Sequence, residues 1–118
     1  MIRGEQPMMR RVSIDRLVPE TPTGHWDVVS RTVVDGRPLR LQVCEMGSDG
    51  GATAHAHDEQ DQIFFLLEGA LDVEGPGAET VTVRAGEALL IPAGCTHATV
   101  NHGRETARYL VLTLPTAT

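Results

Sequence analysis

The strongest constraint on this 118-residue chain is its punctuation. Short β-branched and apolar runs are cut off repeatedly by Gly, Pro or Asp, which predicts strands joined by tight turns. The runs cover residues 26–34, 39–46, 54–57, 62–67, 70–74, 80–84, 88–91, 97–100 and 107–114. Asp35-Gly36 is a turn dipeptide, residues 47–51 read as a loop, and His57-Asp58-Glu59-Gln60 reads as a turn. Gly75-Pro76-Gly77 tips a hairpin, and Pro92-Ala93-Gly94 makes a further turn. Residues 13–18 allow one short helical turn, which Pro19 and Pro22 stop. So many strands in one small domain favour a closed or double-sheet barrel, because both arrangements limit exposed edges.

The length fits one domain, and 41% hydrophobic residues suffice for a core. Only Trp26, Phe64, Phe65 and Tyr109 are aromatic, so Leu, Val, Ile and Ala must fill the interior. The net charge of −6, without a basic cluster, argues against nucleic acid as a partner. All ten basic residues are Arg, so Schiff-base chemistry on a Lys amine is excluded. The longest apolar run, residues 63–67, is too short for a membrane span, and residues 1–11 lack the apolar core of a signal peptide. A soluble, cytoplasmic protein is therefore expected. Cys44 and Cys95 form no CxxC pair and read as buried small hydrophobes.

Three histidines carry the candidate chemistry. His55 and His57 lie two apart, so on a strand both imidazoles leave the same face, as two ligands of one metal do. His97 opens the strand after the Pro92-Ala93-Gly94 turn and offers a third imidazole. Gln62 offers an oxygen donor from the next strand, either to the metal or to a ligand histidine. Three imidazoles and one oxygen leave coordination positions open, the layout of a reactive site. An HxH pair alone fits a polar surface patch equally well. Asp61 is a rival donor on the opposite face, while Asp58 and Glu59 read as solvated turn charges.

Strand parity extends the site. With Gln62 inward, Phe64 and Leu66 point inward too, and Ile63, Phe65 and Leu67 outward. An inward His97 brings Thr99 with it. Phe64, Leu66, Thr99 and Tyr109 are thus the candidate substrate pocket, largely apolar around the metal, although the parity of Tyr109 stays open. His25 and His102 read as surface residues.

Gly86, Pro92, Gly94, His97 and Asn101 are spaced G-x5-P-x-G-x2-H-x3-N, which resembles the second motif of the cupin superfamily at every fixed position. The first cupin motif, G-x5-HxH-x3,4-E-x6-G, is matched by His55, His57 and Gly69. Asp49 stands at its opening Gly position with Gly50 following, and Gln62 stands at its Glu position. The resemblance implies an all-β jelly-roll barrel of six to eight strands, with a metal near the wider mouth. It places His55, His57 and His97 at ligand positions directly and Gln62 by substitution, and it makes Asn101 a turn or hydrogen-bonding residue. The expected cofactor is one divalent transition metal: Fe, Mn, Ni, Co, Cu or Zn. Residues 1–22 read as an N-terminal arm suited to strand exchange and residues 23–115 as the barrel, so a homodimer is expected. The expected function is a metal-dependent oxygenase, isomerase or cyclase acting on a small oxygenated organic molecule. The alternative is a non-catalytic binding or sensing cupin. No second acid or base stands out, and the neutral Gln62 removes the base that a Glu would supply.

Overall fold

The computed structural model describes residues 7–36 and 38–115. Eight strands carry the fold: β1 (His25–Asp35), β2 (Arg40–His55), β3 (Gln60–Glu68), β4 (Ala70–Glu74), β5 (Thr80–Arg84), β6 (Ala88–Ile91), β7 (His97–Val100) and β8 (Ala107–Pro115). Two 3-10 turns, Ile14–Arg16 and Pro76–Ala78, are the only helical pieces among the described residues. None is long or apolar enough to cross a membrane.

The strands are hydrogen-bonded in the order β5-β4-β7-β2-β8-β3-β6, with β1 on β2, and every pairing is antiparallel. β2 turns the corner of the jelly roll. Its first half, Arg40 to Met46, pairs with β8, and its second half, Gly51 to His55, pairs with β7. One strand therefore contributes residues to both layers.

Alternation decides what is buried. β8 turns Ala107, Tyr109, Val111 and Thr113 inward, and the residues between them are less buried. β3 does the same with Gln62, Phe64 and Leu66. Val28, Met46, Leu66, Leu71 and Ala107 are all but fully buried, an aliphatic core of the kind that few aromatics require. Val28, Met46, Leu66 and Leu71 each contribute about 1.5–3 kcal/mol on burial. The outer face keeps Phe65, Leu67 and Leu90 exposed.

Two sequence expectations need correction. Residues 47–51 are not a loop outside the sheet but a wide bulge within β2. Trp26 pairs with Gly51 and Val28 with Met46, so Asp27 alone faces residues 47–50. Glycines suit bulges as well as loops, which is why the composition misleads. At Gly51 a Cβ would lie 2.6 Å from the Thr99 carbonyl oxygen and 2.7 Å from the Trp26 ring. The expected strand over 54–57 also stops early: β2 ends at His55, and His57 lies in the connection to β3.

Asn101 locks the bulge. Its side-chain Nδ2 donates to the carbonyls of Met46 (3.0 Å) and Glu105 (2.9 Å), and its Oδ1 accepts the Gly103 N–H at 2.9 Å. Its backbone bonds both Asp49 and Gly50. Trp26 Nε1 donates to the Asp49 carbonyl from the other side at 2.9 Å.

Of the N-terminal arm, residues 1–6 lie outside the described residues. Glu20 pairs with Ser30 through two backbone bonds of 2.9 and 2.7 Å, laying the end of the arm along the edge of β1 in the same chain.

Candidate metal centre

His55 on β2 and His97 on β7 are register partners, with ring centroids 4.5 Å apart. The His57 ring lies 5.1 Å from His55 and 6.1 Å from His97. One ring nitrogen from each of the three falls within 4.8 Å of the others, close enough to share one ion.

The backbone sets the donors. His55 Nδ1 bonds the Thr53 carbonyl at 2.8 Å, and His97 Nδ1 bonds the Cys95 carbonyl at 3.0 Å. A carbonyl only accepts, so each Nδ1 carries the proton and each Nε2 keeps its lone pair. His57, off the strand, is held by its main chain instead. The Gly94 N–H donates to the His57 carbonyl at 2.8 Å, and the Ala93 N–H donates to Asp61 Oδ1 at 2.8 Å. The Pro92-Ala93-Gly94 turn thus fastens both ends of the segment that carries His57. Gly94 has φ +79°, which a side chain would disfavour.

Three unpartnered buried atoms point to an ion. His57 Nε2, His97 Nε2 and Gln62 Oε1 are buried and bond no protein group. Gln62 Nε2 donates to Thr113 Oγ1 at 3.2 Å, which fixes the amide and leaves its oxygen unpaired. Burying a polar atom without a partner costs about 1–3 kcal/mol, so such a cluster favours an ion that bonds to it. Burial, followed by the charge of His55, lowers the His57 pKa. Burial lowers that of His97 too, against the Cys95 carbonyl, and His55 and His57 lower it further. Both rings are thus held in the neutral form that metals bind. Three neutral imidazoles suit a divalent transition metal, and the three histidines form a possible metal site.

His55 and His57 open onto a cavity of about 240 Å³ inside the barrel. Gln62, Phe64, Thr99 and Tyr109 line it. Leu66 does not; it is fully buried in the core. The lining is more polar than the strand parity of β3 and β7 predicts, because β1 and β2 supply Ser30, Arg40, Gln42 and Cys44. Gln42 Nε2 donates to Ser30 Oγ at 2.8 Å. Glu20 and Pro22 of the arm complete the wall.

His25 was expected at the surface and lines this cavity instead, its ring 6.0 Å from that of His55. Its Nδ1 bonds the Thr23 carbonyl at 3.0 Å, so it too presents Nε2. The pairing of His25 with Ala52 puts it there, and that register depends on the β2 bulge, which no local pattern reveals. His102 stays at the surface, 3.8 Å from Asp72. Both cysteines are free, Cys44 buried and Cys95 half-buried. Outside the cavity, an open basin shares Arg40 and His57 with it and is edged by Asp35, Asp58 and Glu59.

Fold and site together define a cupin. The family model of the cupin domain matches residues 42–113, more than half of the chain, and the protein belongs to that family. Its structure is similar to that of the polyketide cyclase RemF from Streptomyces resistomycificus, with a TM-score of 0.81 and 29% identity over 92% of this chain and 80% of that one. A predicted oxalate decarboxylase from Thermotoga maritima shares the fold at a TM-score of 0.80 and 16% identity, over 91% of this chain and all (100%) of that one. In sequence, the uncharacterized protein YdbB of Bacillus subtilis is 38% identical over 50 residues. That match spans 42% of this chain and 44% of YdbB, less than half of either.

Proposed function

We propose that this cupin is a metal-dependent enzyme that rearranges a small oxygenated organic molecule, by cyclase or isomerase chemistry at a carbonyl or enol. The observation that carries the reading is the set of unpaired buried atoms, His57 Nε2, His97 Nε2 and Gln62 Oε1, beside a cavity of about 240 Å³. His55, His57, His97 and Gln62 would hold one divalent ion of the Fe, Mn, Ni, Co, Cu or Zn group. Such an ion supplies Lewis acidity toward a ligand oxygen.

The chain's own residues do the rest. Gln62 adds no negative charge and takes up no proton, so proton transfer falls to another group. His25 suits that role: it lines the cavity and its Nε2 is left free by the bond from Nδ1 to Thr23. Burial raises the pKa of Cys44 and of Tyr109, which keeps both protonated and unfit as bases. Phe64 and Val111 supply apolar wall, and Gln42 and Ser30 a polar one. The likeness to the polyketide cyclase RemF favours this chemistry over oxygenation.

The test is a panel of 1,3-diketones and enols with protein loaded in turn with each metal, followed by deuterium exchange at the carbon beside the carbonyl and by O₂ uptake. Exchange or cyclised product without O₂ uptake supports the proposal. O₂ uptake moves the assignment to the oxygenase reading, and binding without any turnover moves it to a binding or sensing module. A homodimer through the exposed Phe65, Leu67 and Leu90 face is proposed alongside, tested by light scattering of the purified chain.

A further inference from the structure

Tyr109 is 4% exposed and lines the cavity, yet its hydroxyl bonds no protein group among the described residues. The hydroxyl is not among the buried unpartnered atoms of the described residues; it opens to the cavity, where a ligand can meet it. Its place on β8 says which end of the cavity that is. Thr113, on the same inward face, holds Gln62 at the metal end of the cavity. Tyr109 lies two inward positions further along, roughly 13 Å of strand. Phe64 stands between the two ends, its ring centroid 6.2 Å from His97 and 5.8 Å from Tyr109. Cys44, the register partner of Tyr109, bonds Ser30 Oγ instead, at 3.6 Å.

We infer that the Tyr109 hydroxyl is a specificity-determining donor for the end of the ligand remote from the histidine cluster. The inference rests on the metal reading above and adds a substrate class to it. The ligand is compact, has oxygen at one edge for the metal, and has a hydrogen-bond acceptor at the opposite edge for Tyr109. Burial keeps the phenol neutral, so it donates rather than repels an electron-rich acceptor. A ligand with chelating oxygens but an apolar far edge strands the donor and binds less well.

The probes are catechol, which has no acceptor at its far edge, and 4-nitrocatechol, whose nitro oxygens lie there. Both are titrated into the full chain loaded with zinc, as wild type and as Tyr109→Phe, with bound zinc measured in each. The expected result is that Tyr109→Phe weakens 4-nitrocatechol about fivefold, the worth of one hydrogen bond, and leaves catechol unchanged. A second measurement needs no substitution at that site. Tyr109 is the only tyrosine in the chain, so biosynthetic 3-fluorotyrosine gives a single fluorine NMR signal. That signal should move with saturating 4-nitrocatechol and much less with catechol. Zinc retained with equal effects on both probes, or with no effect of Tyr109→Phe, overturns the Tyr109 assignment and leaves the metal site standing. Failure of the wild type to bind zinc overturns the metal reading and the assignment with it.

Discussion

His55 and His97 sit opposite one another across the β2–β7 pairing, with their ring centroids 4.5 Å apart. Each is held by a bond from Nδ1 to the carbonyl two residues before it. Two strands distant in sequence thus present matching Nε2 donors, and His57 joins them from the following connection.

Removing one donor should disable the set. His97→Ala is expected to weaken divalent metal binding by roughly tenfold or more. Elemental analysis of protein purified without chelator reads this directly, and equal metal content in variant and wild type would defeat the site.

Restoring the family's carboxylate at position 62 should have the opposite effect. Gln62→Glu adds an anionic oxygen facing the histidines and should tighten the metal by about tenfold, or about 1.4 kcal/mol. The proton-transfer capacity of the site changes with it. Competition against a chromogenic chelator measures the affinity, and an unchanged or weaker value would place Gln62 outside the coordination sphere.

Acid should unfold the metal-stripped protein early. His57 and His97 have pKa values lowered from 6.5 in the fold, so below that point the unfolded chain binds more protons than the native one. Stability is then full above pH 6.5 and falls as the pH drops through the lowered folded values. Melting of chelator-treated protein between pH 7.5 and 5 should show this fall, and His97→Gln should reduce it.

Asn101 should matter for stability without touching the metal. Asn101→Ala breaks three side-chain bonds and leaves the carbonyl of the fully buried Met46 without that donor. A loss of about 3 kcal/mol is expected, seen in urea unfolding as a shifted midpoint with an unchanged slope.

Asp49 stands where the first motif has glycine, and its φ of +66° explains the family preference. Asp tolerates this left-handed backbone better than most residues do. Asp49→Ala should cost about 1 kcal/mol, whereas Asp49→Gly should be neutral or stabilising. Thermal melts of the pair separate backbone strain from loss of the side chain.

The parts legible in the sequence are those fixed by short-range chemistry. The HxH spacing of His55 and His57, the Pro92–Gly94 turn and the parity of Gln62 and Phe64 follow from neighbours a few residues away, and His97 was legible through its motif. His25, Ser30 and Gln42 were not legible as cavity residues, because their place depends on how β1 registers against β2. That register jumps at the bulge between Trp26 and Val28. Glycine content cannot distinguish such a bulge from a free loop, so residues 47–51 read as a loop and the β1 side of the cavity stays unassigned from sequence. The orientation of Tyr109 likewise became fixed only when β8 found both Cys44 and Leu66 as partners.

The bonds from Gly94 to His57 and from Ala93 to Asp61 have a thermodynamic consequence. They join only protein groups, so the cup that would receive an ion is set without one. Capture should therefore resemble filling a finished mould rather than folding around a seed, with little change in heat capacity and an almost unaltered circular dichroism spectrum. Discrimination among cations then rests on fit to a preset site rather than on rearrangement of the chain around the ion.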